Sequence, residues 1–433
     1  MKTNYFKSLA TLLCAGALLF SVNTKAQWTA MGGGITSGSV YAMTAFNSNI
    51  YIGGGFFSPY SDLAVWNGGS YSSGLVAGIT QPVNAFATFD SVLYLATDNG
   101  IYQLIGSTSN QIAIINDPCY ALCWYNHMLY AGGWMDSIGP ASSRKKCGHI
   151  ITYNGTTWDS IAVEVDSWPK AMTVYNGQLA VGGYMNYSSA GDTLYGIGLY
   201  NGTKWTPLSH GIKGSGGVFA LATQGSNLYI GGEFDSASVG PKYGPHIFTN
   251  NIAVWNGSAW DSVGAKGTSS TVYAICAYNG GIVAGGYFDS VMFWNGAAWS
   301  SLGTTPMYSE INSTIVFNGN LYVGGEMFST IGGTSANNVA EYTAPTGIAS
   351  ISNANGISIY PNPSNGLFTV EQNAENHNVK IEVYNVLGEE VYVNSFSTLR
   401  TNIDITAQAS GIYIYRMLNA DGSLLSTGKI IKN

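Results

Sequence analysis

The sequence predicts an all-β protein whose main body is a seven-bladed β-propeller. Three observations predict it. Aromatic residues make up 13% and glycines number 56, yet charged residues are only 9%. One fifteen-residue window recurs seven times along the chain. A second segment, an Asn-Gly turn between two aromatics, follows most of those windows.

The composition excludes several classes at once. Disorder goes with low hydrophobicity and high charge, whereas 46% of this chain is hydrophobic. Aromatics pack on pleated surfaces and glycines make turns, which suits strands. The net charge is -7, and the arginines are Arg144, Arg400 and Arg416. Nucleic-acid binding needs clustered Lys and Arg, so no nucleic-acid partner is expected.

Residues 1–26 read as a signal peptide. "MKTNYFK" is a basic n-region, "SLATLLCAGALLFSV" an apolar h-region, and "NTKA" ends in a small residue before Gln27. Cleavage is expected after Ala26. Cys14 raises a lipoprotein reading, but small residues are missing just before it and the apolar run continues past it. No other apolar run reaches membrane-spanning length, so no transmembrane segment is expected. Cys119, Cys123, Cys147 and Cys276 remain. Export permits disulfides, and buried free thiols are the plainer reading.

The seven windows start at Val40, Val83, Cys119, Pro169, Val218, Val272 and Ile311. Their starts lie 43, 36, 50, 49, 54 and 39 residues apart. "VYAICAYNGGIVAGG" from Val272 is typical. An apolar run meets a turn pair, and a second apolar run ends in Gly-Gly. Asn-Gly favours the type I′ turn of a β-hairpin. The third position is Ala42, Ala85, Ala121, Ala171, Ala220, Ala274 or Ser313. A small side chain there implies crowding, as where innermost propeller strands converge. The Gly-Gly is expected to adopt backbone conformations that a Cβ forbids.

After each Gly-Gly comes a loop and then the outer hairpin, as in "IAVWNGSAW" from Ile252. Its aromatics, Trp255 and Trp260, are expected to face each other across the strands. Four strands per unit, repeated seven times, is the propeller signature. The last copy lacks an outer Trp strand, and "WTAMGGGI" at Trp28 resembles "WTPLSHGI" at Trp205. Residues 28–35 are therefore expected to complete the seventh blade and close residues 27–345 into a ring. These repeats resemble kelch-type and galactose-oxidase-type propellers, and more closely the "LYVGGxF…WNGxxW" repeats of exported bacterial proteins. The resemblance predicts fold and says little about activity.

Residues 346–356 read as a linker rich in small residues. Residues 357–433 resemble the type A C-terminal sorting domain of type IX secretion cargo. The matching positions are Tyr360, Pro361, Asn362 and Pro363 with Gly366, then Leu387 and Gly388. Gly411, Ile412 and Tyr413 follow, and Gly428 and Lys429 open the terminal "GKIIK". The resemblance implies a small immunoglobulin-like β-sandwich, recognised by the secretion machinery and its sorting peptidase. It implies a protein released or held at the cell surface. Alternation in "VKIEVYNV" and "GIYIYRM" accords with short sandwich strands.

No catalytic constellation is legible in the propeller. A sialidase needs three arginines, and the propeller has Arg144 alone. His127, His149, His210 and His246 lack metal-ligand spacing. Asp-Ser recurs after Gly-Gly at Asp136, Asp235 and Asp289, with Glu233 and Glu326 nearby. One reading is a carboxylate ring for Ca²⁺ or polar sugars. The preferred reading is local turn bonding to the backbone. The loops after Gly-Gly are long and are expected on one face, where binding residues concentrate. Trp134, Tyr184, Tyr187 and Tyr243 are its candidate stacking residues. The expected function is a non-catalytic recognition or adhesion module for a glycan or surface protein. The alternative is a polysaccharide-degrading enzyme using Asp136, Asp235, Glu233 or Glu326 as acid and base.

Overall fold

A computed structural model describes residues 27–73, 78–214, 216–238, 245–265, 267–306, 308–344, 357–362, 364–372, 379–385, 388–419 and 424–433. The expected signal peptide and linker lie outside the described residues, as do Tyr243, Pro363 and Leu387. The chain divides into two compact units, with the change at Thr343/Ala344.

The first unit is built of seven four-stranded antiparallel sheets among the described residues. Blade five shows the plan. Val218–Gln224 is innermost, followed outward by Asn227–Gly232, Ile252–Trp255 and Trp260–Ser262. The innermost strands neighbour one another in a closed cycle, with Glu310–Phe317 returning to Ser37–Phe46. The seventh sheet joins both ends of the unit. Its outer strand is Gln27–Ala30, which lies beside Val339–Thr343.

Local chemistry sets each blade. In the inner hairpin turns at Asn47-Ser48, Asn126-His127, Asn176-Gly177, Asn279-Gly280 and Asn318-Gly319, both central residues have positive φ. That is the type I′ geometry, whose twist fits the strands. In the outer hairpin, the Asn256 side-chain oxygen accepts from the Ser258 and Ala259 amides at 3.0 and 2.9 Å. Asn67, Asn154, Asn201 and Asn295 do the same. Trp255 and Trp260 lie in register, with ring centroids 5.1 Å apart.

The Gly-Gly pairs have a different basis from the expected one. None of Gly231, Gly232, Gly285 or Gly286 has positive φ. Their requirement is close approach. A Cβ on Gly231 would lie 2.4 Å from Val272 Cγ1 of the next blade, and one on Gly232 would lie 2.0 Å from the Gly217 carbonyl oxygen. The first glycine lets blades pack together, and the second lets the innermost strand bend. Blade two has Ala96 and Thr97 instead. Buried Thr97 turns its hydroxyl onto the Gly100 amide at 3.0 Å. Cys119, Cys123, Cys147 and Cys276 are free thiols.

The tail is a two-sheet sandwich. One sheet holds Ile357–Tyr360, Leu367–Gln372 and Arg400–Asp404. The other holds Glu390–Phe396, Val379–Tyr384, Gly411–Leu418 and Leu424–Lys432. Phe368, Val370 and Ile403 from the first sheet share one core with Ile381, Val383 and Met417 from the second. Two antiparallel sheets closing on one core is sandwich packing.

Candidate functional site

The site begins with a repeated defect in pairing. In blade one, Val40 pairs with Gly54 and Ala42 with Gly53, so Tyr41 has no partner. The same skip leaves Asn84, Tyr120, Lys170, Phe219, Tyr273 and Asn312 unpaired in the other blades. Such a bulge bends a strand and re-aims the extra side chain. All seven re-aimed side chains line one central cavity of about 520 Å³. They also line a narrower space of about 230 Å³, where the Ala42-to-Ser313 ring of small residues follows. The expected crowding at the third position is this channel.

Residues just after the Gly-Gly pairs form the wall above. Asp98, Tyr184 and Glu233 line the wide cavity but not the narrow channel. The bulged residues therefore sit at the junction, and the site is a funnel. A strip of rings runs along its wall. Trp134 stacks on Trp168 at 4.3 Å, and Trp168 meets Tyr184 at 5.0 Å. Tyr184 then meets Phe219 at 5.6 Å, and Phe219 stacks on Tyr273 at 5.7 Å. The strip starts at Trp134, which is 50% exposed, and ends in the cavity.

The electrostatics are mixed. The Lys170 ammonium lies 3.2 Å above the Tyr120 ring centroid and 5.8 Å from that of Trp168. It forms no ion pair among the described residues. Burial pushes Lys170 down to about 8. The phenols move the other way. Burial and then the Glu326 charge raise Tyr41; burial and then Glu310 raise Tyr273. Burial, followed by the Glu326 charge, also raises Glu310. Glu310 and Glu326 are direct cross-strand partners. The Asn84 amide donates to Asp98 at 2.8 Å.

The sequence-predicted candidates separate here. Tyr184 and Glu233 line the funnel, Trp134 leads into it, and the Glu326 charge acts on its Tyr41 phenol. Asp136, Asp235, Asp289 and Tyr187 are exposed and outside the lining. In the three Asp-Ser loops the recurring bond uses the backbone. Asp136, Asp235 and Asp289 accept through their carbonyls from Cys147, Thr249 and Thr305 at 2.7, 3.0 and 3.1 Å. Asp136 adds a carboxylate bond from Asn116 at 3.0 Å. No group of three or more His, Cys, Asp or Glu gathers at metal-binding distance among the described residues. Sequence reasoning missed the bulged residues. Their signal was one chemically varied position between two uniform ones in every window.

In the tail, the motif residues hold the last strand. Asn362 donates to the Lys429 carbonyl at 2.9 Å and accepts from the Ile431 amide at 2.8 Å. Ser364 exchanges backbone bonds with Ile431 and Asn433 at 2.9 and 2.8 Å. A Cβ on Gly366 would lie 2.8 Å from Thr406 Cα, and one on Gly428 would lie 2.8 Å from the Tyr415 ring. The Tyr360 hydroxyl, beside Pro361, donates to Glu371 at 2.6 Å. Gly388 turns the chain with φ of 84°, and Ile412 is exposed. The Tyr413 hydroxyl donates to the Ala409 carbonyl at 2.6 Å.

Residues 358–433 match the family model described as a secretion system C-terminal sorting domain. The tail is a type IX secretion sorting domain. The sorting domain marks the protein for export to the cell surface or the medium through the type IX machinery. No helix among the described residues is long and apolar enough to cross a membrane. No curated protein matches the chain. Among solved structures, the WD40 β-propeller domain of Doa1 is similar at 13% identity and a TM-score of 0.51. That match covers 73% of this chain and 96% of the other. PorZ, a type IX secretion surface component of Porphyromonas gingivalis, matches at 13% identity and 0.45, over 91% of this chain. This chain spans only 59% of PorZ. The WD40 domain of Neurospora crassa Pan2 matches at 11% identity and 0.47, over 75% and 98% of the two chains. At these identities the Doa1 likeness speaks for the propeller fold alone.

Proposed function

We propose that the propeller is a non-catalytic recognition module, exported by its sorting domain, that takes its ligand at the central funnel. The carrying observation is the aromatic strip that runs from exposed Trp134 into a cavity of about 520 Å³. Cavities of several hundred Å³ with aromatic walls and a few convergent polar groups are ordinary ligand sites. Ring faces pack on sugar rings or apolar side chains, and tyrosine hydroxyls orient them. The sorting peptidase and a glycan or surface-protein ligand are the partners this reading implies. The test is binding of the mature full-length protein to a glycan array and to cell-envelope fractions. Specific binding that falls on Trp134→Ala or Tyr184→Ala supports the reading. Binding unchanged by both variants, or none to either target, refutes it.

A second reading has one observation of its own. Glu310 faces Glu326 across the strand pair, and one of the two is held toward its protonated form. A carboxyl raised by burial beside a second carboxylate is the kind of acid that glycosidases use. This polysaccharide-degrading reading requires turnover that Glu310→Gln abolishes. A polysaccharide panel without turnover removes it.

A further inference from the structure

The funnel also specifies a ligand chemistry, and this step rests on the recognition reading above. We propose that the funnel seats the single carboxylate of an acidic sugar at the tip of a glycan on the Lys170 ammonium, and that its acidic wall turns polyanions away.

Lys170 is the first part of the argument. Its ammonium stands at the junction of cavity and channel with a ring beneath it, and it forms no ion pair among the described residues. A cation drawn out of bulk water without an anion is costly, and cation–π contact offsets only part of that cost. An incoming carboxylate completes the pair.

The surrounding donors fit the same group. Burial and neighbouring carboxylates keep the Tyr41 and Tyr273 phenols protonated, so they donate. Asn84 gives one amide hydrogen to Asp98, and Asn312 gives one to the Val40 carbonyl at 3.3 Å. A side-chain amide has two such hydrogens, so each retains one. These hydroxyls and amides, set against the strip from Trp134 to Tyr273, match the hydroxyls and flat faces of a pyranose chain.

The wall sets the limit on charge. Asp98 and Glu233 line the cavity, and Glu310 and Glu326 act on its phenols. Charges that line a cavity adjoin its occupant, and salt screens them appreciably only beyond a Debye length of about 8 Å. A second or third anionic sugar would meet this wall, whereas one acidic tip passes it and reaches Lys170.

The test is isothermal titration of the mature full-length protein with four probes. They are a β-1,4-glucose tetramer tipped by one terminal glucuronate, neutral cellotetraose, tetragalacturonate, and the peptide acetyl-Gly-Ser-Gly-Tyr with a free carboxylate. The glucuronate-tipped probe should bind at least about tenfold tighter than cellotetraose, the scale of one charged hydrogen bond. Tetragalacturonate should bind no tighter than cellotetraose. Lys170→Met should erase the preference and Lys170→Arg should keep most of it, with melting curves showing both variants folded. Equal binding of neutral and tipped glucans overturns this inference and leaves glycan recognition intact. Tightest binding of tetragalacturonate, an unchanged preference in Lys170→Met, or no saccharide binding at all also overturns it. Tighter binding of the peptide gives the site to protein chain ends and overturns the glycan assignment. The recognition reading itself is decided separately, by the array, the envelope fractions and the Trp134 and Tyr184 variants.

Discussion

The Trp260 indole Nε1 donates to the carbonyl oxygen of Leu208 in the neighbouring blade, 3.0 Å away and buried. The bond recurs around the ring. Trp158 bonds Ile112, Trp205 bonds Val163, and Trp299 bonds Val263, at 2.9, 2.8 and 2.8 Å. At the seam, Trp28 bonds Leu302 at 2.8 Å. The outer tryptophan thus pairs with its own hairpin partner and ties its blade to the one before. Trp260→Phe keeps most of the ring but strands the Leu208 carbonyl. A buried acceptor left unpaired costs about 1–3 kcal/mol. Urea unfolding should show a loss of that size, and a smaller one for Trp158→Phe, whose bond is partly exposed.

The Gly-Gly pairs give a sharper packing prediction. Gly231→Ala places a methyl 2.4 Å from Val272 Cγ1 and 2.8 Å from Ile275 Cδ1. Overpacking of this kind costs about 1–3 kcal/mol. Gly69→Ala, whose Cβ would meet only Asn67 Oδ1 at 3.8 Å, should change stability by less than about 0.5 kcal/mol. Equal melting temperatures for the two variants would contradict the close-approach account.

Glu164 makes the propeller pH-sensitive. Burial pushes its carboxyl up to about 7, against a Ser160 hydroxyl bond that lowers it. An unfolded glutamate titrates near about 4.3. Between those values the folded chain holds a proton that the unfolded chain has released. Stability therefore falls as pH rises through this window and levels off above about 7. Glu164→Gln should flatten that slope. At pH 8 it should stabilise by about 1–2 kcal/mol, a figure reduced for the partial exposure of the group. Denaturation at pH 5 and pH 8 checks both points.

The Asn362 side chain is the tail's test. Its two bonds fix the last strand at Lys429 and Ile431. Asn362→Ala should cost about 1–2 kcal/mol in the sorting domain, since both bonds are exposed and water replaces part of each. Hydrogen exchange should quicken at the Ile431 amide, and surface delivery of the protein should fall. Unaltered exchange at that amide would remove the strand-holding role.

Part of the site was legible in the sequence and part was not. Trp134, Tyr184, Glu233 and Glu326 occupy one position, the residue after Gly-Gly, and that position sits at the funnel. Asp136, Asp235 and Asp289 lie two residues beyond that position in their blades and have turned away from the funnel. Strand alternation carries no signal once the chain has left the strand. Lys170, Tyr120, Phe219 and Tyr273 were in plain view as the second position of the window. A pattern of alternation assigns that position to a sheet face, whereas the bulge sends it to the central axis.

The sequence by itself determined the all-β class, the number of repeats, the turns of each hairpin and the sorting signal of the tail. These are local matters. An Asn-Gly turn, an alternating strand or a contiguous signature is specified by residues within a few positions of one another. Tertiary structure alone decided why the Gly-Gly pairs are glycine and which seven side chains meet at the axis. It also decided that Lys170 stands over the Tyr120 ring and forms no ion pair among the described residues. The physical reason is distance along the chain. The atoms that crowd Gly231 and the rings that surround Lys170 come from different blades, and only closing the ring brings them together.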